Sequence, residues 1–208
     1  MELHRKVKNS IIFIGVILSL ITSGITFSAQ DPVVMLKDVT GSVMSELKNN
    51  RADISRHPSK LYSLVNHLIL PHVDFAEMSR WVVGRNAWNK ADSATQHAFV
   101  EEFKTMVVRA YARSLLEYTG EHIEFLPLRA TAENKERIQI SSYIMGNFGS
   151  HSKVRMDYRL IREGDEWKVY DIIIEGVSIV QGYRAQFADD IRDGGLQGAI
   201  NRMHRHNK

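Results

Sequence analysis

The sequence predicts an α+β fold, in which helices come first, an antiparallel meander of about four strands follows, and helices return at the end. Three observations carry this. Apolar residues recur at three-to-four spacing from Leu36 to Tyr118 and again from about Val177. Between about residues 121 and 174 they alternate every second position instead. Gly, Pro, Asn and Asp mark the places where one period gives way to the next. A 3.6-residue period is the mark of an amphipathic helix, and a period of two is the mark of a half-buried strand. Helices grouped apart from a run of strands are expected to cover one face of an antiparallel sheet.

Asp31-Pro32 is a helix start, a side-chain cap followed by proline in the first turn. Leu36, Val39, Val43 and Leu47 then form one stripe, and Asn49-Asn50 is the expected end. A second helix follows His57-Pro58, with Leu61, Leu64, Val65 and Leu68 on one side, until Pro71 stops it. Asp74 with Glu77 three residues on has capping-box spacing, and Gly84 suits the helix end. Ser93 with Gln96 opens the longest predicted helix, which Gly120 closes. Its stripe runs Phe99, Phe103, Met106, Val107, Tyr111, Leu115, Tyr118 over about 26 residues, nearly 40 Å.

Four strands are read from Ile123-Glu124-Phe125, from Ile138 to Ile144, from Val154 to Leu160, and from Trp167 onward. Gly, Asn and Asp turns join them, as in a meander with one polar face. The last helix carries Ile179, Val180, Tyr183, Phe187 and Ile191. Gly194-Gly195 breaks it before a short terminal helix with Leu196, Ile200 and Met203.

The first 29 residues read as a cleaved signal peptide. Arg5, Lys6 and Lys8 precede an apolar run from Ile11 to Ile25, and small residues follow at Thr26, Ser28 and Ala29. That run is shorter than the roughly 20 residues of a membrane span. Residues 30–208 are expected to form a single domain. The net charge of +3 drops to +1 once Arg5, Lys6, Lys8 and Glu2 are removed. Without a concentrated cationic face, nucleic acid is a poor partner. The absence of cysteine excludes disulfides, thiolate metal sites and a cysteine nucleophile.

The nine histidines give no ligand spacing for a metal, and His67 and His72 straddle Pro71. Asp189, Asp190 and Asp193 lack the alternate-position oxygens of a calcium loop. Asp171 lies among apolar neighbours in Val169-Tyr170-Asp171-Ile172-Ile173. A carboxylate there needs a partner. It is either a structural acceptor for backbone N–H groups or for an arginine such as Arg184, or a general base in a cleft. The inward aromatic and β-branched residues are either a filled core or the lining of an apolar cavity.

Val73-Asp74-Phe75 with Met78, then Gly84 and Trp88, then Gln96, Phe99, Phe103 and Tyr111 resemble the MlaC family, also known as toluene-tolerance proteins. The most specific part is Trp167-Lys168-Val169-Tyr170-Asp171 followed by Glu175-Gly176-Val177-Ser178 and Tyr183-Arg184. The resemblance covers about residues 31–205. It implies a nuclear-transport-factor-like fold with a deep apolar pocket between sheet and helices. It implies a periplasmic phospholipid carrier of the Mla system, with phospholipid as cargo and no cofactor, metal or catalysis. Its implied partners are an outer-membrane lipoprotein complex and an inner-membrane ABC transporter, and the chain is expected to be a monomer. On that reading, periodicity nominates Val82, Phe103, Val107, Tyr111, Val177 and Tyr183 from the helical side as tail-binding residues. From the sheet it nominates Ile138, Ile140, Val154, Met156, Tyr158 and Val169. The alternative is an enzyme on the same scaffold with Asp171 as its base.

Overall fold

The computed structural model describes residues 30–128, 132, 134–149 and 151–207. The expected signal segment, residues 1–29, lies outside them. Helix α1 is Pro32–Arg56, and Asp31 caps it by accepting the Val33 and Val34 N–H groups. It runs past the predicted stop because Asn50 bonds Glu46 one turn back and Ile54 is buried. Helix α2, Pro58–Leu64, passes into a π turn at Val65–Ile69 and a 3-10 turn at Leu70–His72.

Helix α3 is Phe75–Val83, capped by the Asp74 carboxylate on the Glu77 N–H. The return half of the expected capping box is absent. The Glu77 carboxylate instead accepts the Trp81 indole N–H at 2.9 Å and Arg137 at 2.7 Å. Gly84 ends α3 at φ +81°, a conformation that suits glycine. A short helix α4, Arg85–Lys90, follows it and was not anticipated.

Helix α5 is Ser93–Tyr111, shorter than predicted, and its cap is Asp92 rather than Ser93. The Gln96 amide donates instead to the Trp88 and Ala91 carbonyls. Beyond Tyr111 the chain tightens into a 3-10 turn, Ala112–Glu117, which buries Ala112. That turn draws Leu115 and Leu116 toward α1 and α2.

The sheet has five antiparallel strands in sequence order. They are β1 His122–Phe125, β2 Arg137–Phe148, β3 His151–Glu163, β4 Glu166–Ile174 and β5 Val177–Ser178. The fifth is a two-residue strand folded back on β4 through Glu175-Gly176, both at positive φ. Helix α6, Ile179–His206, begins there with Ser178 as its cap, and Gly195 at φ 60°, ψ −158° interrupts its helical geometry as expected.

One irregularity in β4 decides what Asp171 does. Arg159 pairs with Asp171, but the next residue of β3, Leu160, pairs with Val169. Tyr170 is therefore an extra residue, a β-bulge. Strict alternation would put Asp171 on the same face as Trp167 and Val169. The bulge lets Val169 and Ile172 share a face, while Tyr170 stacks on Trp81 of α3 at 6.1 Å. Asp171 points to α6 instead. Its carboxylate accepts Ser178 Oγ at 2.7 Å, Arg159 at 3.1 Å and the Val180 N–H at 3.2 Å. The arginine is thus Arg159, not Arg184, whose guanidinium lies against Gly84.

The apolar interior has three parts. Helices α3, α5 and α6 enclose a packed core of Phe99, Phe103, Val82 and Phe187. Met35 and Leu36, at the start of α1, pack on Ile140, Tyr158, Leu160, Trp167 and Val169 of the sheet. Val43, Leu47 and Ile54, further along α1, pack on α2 and the 3-10 turn after α5. Helix α1 therefore rests on the sheet at one end and on helical turns at the other. Its middle bridges the gap.

Candidate functional site

Under that bridge lies a cavity of about 430 Å³, within the size range of sites for small organic ligands. Its roof is α1, with Met35, Leu36, Val39, Val43, Met44 and Leu47 facing in. Its floor is the sheet, with Ile123, Ile144, Met156, Tyr158, Val169 and Ile172. Ile69 and Val73 close one side, and Leu115 and Tyr118 close another. The segment carrying Val73 is fixed to β4, because the Asp74 N–H donates to the Val169 carbonyl at 2.9 Å. Lys168 Nζ donates to the Pro71 carbonyl at 2.7 Å.

The wall is almost wholly hydrocarbon, and methionine is prominent in it. Unbranched, polarisable methionine side chains adapt to irregular shapes. The polar groups are few: Thr40, His72, Ser114, Glu117 and Glu121, with the two tyrosine hydroxyls. The Thr40 hydroxyl is turned back on the Leu36 carbonyl of its own helix at 2.7 Å. Burial pushes the Tyr158 phenol up from its ordinary pKa, so it stays neutral. Burial, and then the nearby Lys168 ammonium, pull the His72 imidazole down from its ordinary value. Its neutral form is therefore favoured. No lysine or arginine is among the lining residues. Such a wall offers mainly dispersion contacts and water exclusion, with no cation to neutralise a charge.

The twelve residues nominated from periodicity are distributed over four places. Met156, Tyr158 and Val169 line the cavity. Ile138 and Ile140 lie in the apolar layer beside it, and Val154 pairs with the cavity residue Ile144. Val82 and Phe103 are fully buried in the helical core, with Val107 and Tyr183 packed against it. Tyr111, Val177 and Tyr183 border a separate, smaller cavity of about 350 Å³ near the start of α6, and Val177 itself is 69% exposed. Periodicity identifies an apolar face but not which apolar layer that face meets.

The roof was the part missed. The stripe Leu36, Val39, Val43, Leu47 is plain in the sequence, and all four line the cavity. The available signal was the pair Met35 and Met44 flanking an aliphatic stripe with no aromatic residue to fill space.

Asp171 lines neither of these cavities. It is 1% exposed and engaged by three donors. Its position at the first turn of α6 also suits the positive end of the helix dipole. Among the described residues no cluster of three or more His, Asp or Glu could hold a metal ion. None of the described helices is long and apolar enough to cross a membrane.

The model of the MlaC protein family matches residues 37–205, a span that takes in the floor and sides of this cavity and all of its roof but Met35 and Leu36. The chain belongs to the MlaC family. Among its relatives is the toluene tolerance protein ttg2D of Pseudomonas putida, 30% identical over 171 residues, 82% of this chain and 78% of the relative. The intermembrane phospholipid transport system binding protein MlaC of Haemophilus influenzae is 23% identical over 173 residues, 83% of this chain and 80% of that one. A solved structure of a phospholipid-binding protein from Ralstonia solanacearum, in complex with a phospholipid, superposes with a TM-score of 0.76. It is 28% identical and covers 86% of this chain and 97% of its own. The cavity of this chain is framed by α1 and a five-stranded sheet, with one strand more than the meander predicts.

Proposed function

We propose that this chain is a soluble periplasmic phospholipid carrier whose acyl-tail site is the cavity between α1 and the sheet. The observation that supports this best is the cavity itself, hydrocarbon-walled and without a cation, in a chain of the MlaC family. The relative from Haemophilus is named for phospholipid transport, and the Ralstonia structure holds a phospholipid. The finer reading is a shuttle of the Mla system. It takes lipid between an outer-membrane lipoprotein complex and an inner-membrane ABC transporter and so maintains the asymmetry of the outer membrane. Export would use residues 1–29.

The energetics of such a carrier constrain its wall. A buried methylene is worth about 0.8 kcal/mol, so two tails of roughly 15 methylenes each represent on the order of 25 kcal/mol of water avoidance. The site has to match a bilayer, not exceed it, or the lipid would never leave. An adaptable wall of Met, Leu and Val, with the headgroup outside it, meets that condition. The rival reading, an enzyme using Asp171 as base, faces a carboxylate already committed to three donors and absent from the cavity wall.

The test is to purify residues 30–208 without detergent and extract them for lipid mass spectrometry. About one two-chain phospholipid per protein is expected. Val43→Trp, which fills the cavity from the roof, should remove the lipid while the circular dichroism of the fold is kept. Lipid-free wild-type protein that also takes nothing from vesicles would overturn the proposal.

A further inference from the structure

Three sides of the large cavity are fastened. At its inner end Met35, Leu36, Tyr158 and Val169 are buried, none of them more than 6% exposed. The Val73 side is tied to β4 through Asp74 and Lys168. The 3-10 turn after α5 is tied to α1, because Arg51 donates to the Leu116 and Tyr118 carbonyls. Among the lining residues, the exposed ones are Ser114, Glu117 and Phe148. The mouth of the cavity therefore lies where that turn meets the tip of the β2–β3 hairpin.

This tip is the least supported part of the wall. β1 pairs with β2 no further than His122 with Met145. β4 pairs with β3 no further than Ile174 with Met156, and Glu175 then bonds Arg155. Beyond those points the hairpin is held by its own ladder, which slips register between Met145 and Phe148. Segments with so few neighbours open at low cost.

Phe148 sits on the tip, 36% exposed, and its ring folds back over Gly146. A Cβ on Gly146 would fall 3.1 and 3.2 Å from two carbons of that ring and 2.7 Å from Glu121 Cγ. Glycine thus leaves a seat where the ring meets the Glu121 side chain. Glu121 is fixed there, because its carboxylate accepts the Thr119 hydroxyl at 2.6 Å, the Thr119 N–H at 2.7 Å and the Gly120 N–H at 3.2 Å. The ring is held by contact alone. One side of the mouth is anchored, and the other is a single aromatic side chain.

Resting on the carrier reading above, we infer that this mouth is the portal through which acyl tails enter and leave, and that Phe148 controls passage through it. Seated on Gly146 against Glu121, the ring narrows the mouth. Swung toward solvent, it opens the way and leaves the packed layers intact. A residue in this role changes the barrier for loading and for release by the same factor. It therefore alters rates without altering how much lipid is bound at equilibrium.

The experiment loads residues 30–208 with a phosphatidylcholine carrying a fluorophore on one tail. Release into phosphatidylcholine vesicles that contain a quencher lipid is followed by stopped flow, and loading is followed in the reverse direction. Phe148→Ala is expected to speed both by about tenfold, the order expected when roughly half of an aromatic side chain's burial no longer has to be undone. Gly146→Val takes the seat and should speed both as well. In the double variant the valine should add nothing further, since its effect runs through the ring. Equilibrium occupancy and the urea midpoint should stay at the wild-type values. Val34→Ala, on the exposed side of α1 and 50% exposed, should keep the wild-type rates. Unchanged rates in Phe148→Ala, a fall in occupancy without a change in loading rate, or additive effects in the double variant would overturn the portal alone. Wild-type protein that takes up no phospholipid would overturn the carrier reading with it.

Discussion

The helical core around Phe103 and the layer beneath α1 are made from similar amphipathic stripes, yet one is filled and the other is hollow. In the core, aromatic rings do the filling. Phe103 meets Tyr183 edge-on at 5.2 Å and Phe99 at 5.8 Å, and Phe187 lies within 6.2 Å of Phe99 and 6.1 Å of Tyr183. Under α1 the inward residues are mostly Val, Leu, Ile and Met, and the helix is propped at both ends. The same apolar pattern thus gives a rigid half and a receptive half. The difference lies in side-chain volume and in where each helix finds support.

Truncation should separate the two halves most sharply. Phe103→Ala is expected to destabilise the protein by about 4 kcal/mol, since a close-packed site cannot collapse around the void. Val39→Ala in the roof should cost about 1 kcal/mol or less, because the space beside it is already open. Urea unfolding of both variants checks this, and equal losses would show that the halves do not differ as described.

A smaller effect is expected where the halves are joined. Asp171→Ala removes the acceptor for the Val180 N–H and the partner of Arg159. We expect a loss of about 2–3 kcal/mol, as for a buried donor left unpaired. Arg159 is 38% exposed and can turn to water, which keeps the figure below that of a fully buried pair. Hydrogen exchange should quicken first at the start of α6. A loss under 0.5 kcal/mol, by the same criterion, would show that the carboxylate is not the tie between sheet and helix.

The smallest effect is alkaline. Burial raises the Tyr183 phenol from 10.0 to about 12, with Tyr111 adding to the shift. A raised phenol pKa means that the unfolded chain ionises first. Its contribution is therefore intact below pH 10 and is lost as pH rises toward 12. Tyr183→Phe should flatten the fall in melting temperature across that window. An unchanged profile would place the alkaline sensitivity elsewhere.

Much of this was legible in the sequence. The order of elements, the Asp31 and Asp74 caps and the meander follow from period and punctuation. So does the break at Gly195. Boundaries failed where side chains decided them. Asn49 and Asn50 look like a stop, but Asn50 bonds back along the helix, and Glu77 looks like half of a capping box but serves Trp81 and Arg137. The site was only partly readable. Met156, Tyr158 and Val169 were within reach of strand alternation. The roof was not, because a stripe shows that a helix is buried on one side without showing whether the far wall is in contact.

The bulge at Tyr170 has a consequence for changes in chain length. Because Tyr170 has no partner on β3, its deletion would close the ladder with every other pair intact. Val169 and Ile172 would still face the cavity, and Asp171 would still meet Arg159. The stack on Trp81 and the Arg137 guanidinium over the Tyr170 ring would go. Removal of Lys168 or Ile172 instead would turn alternate residues over and bring a charge toward the cavity or an isoleucine toward water. Shortened versions of this strand that still fold and carry lipid should therefore lack Tyr170 and not its neighbours.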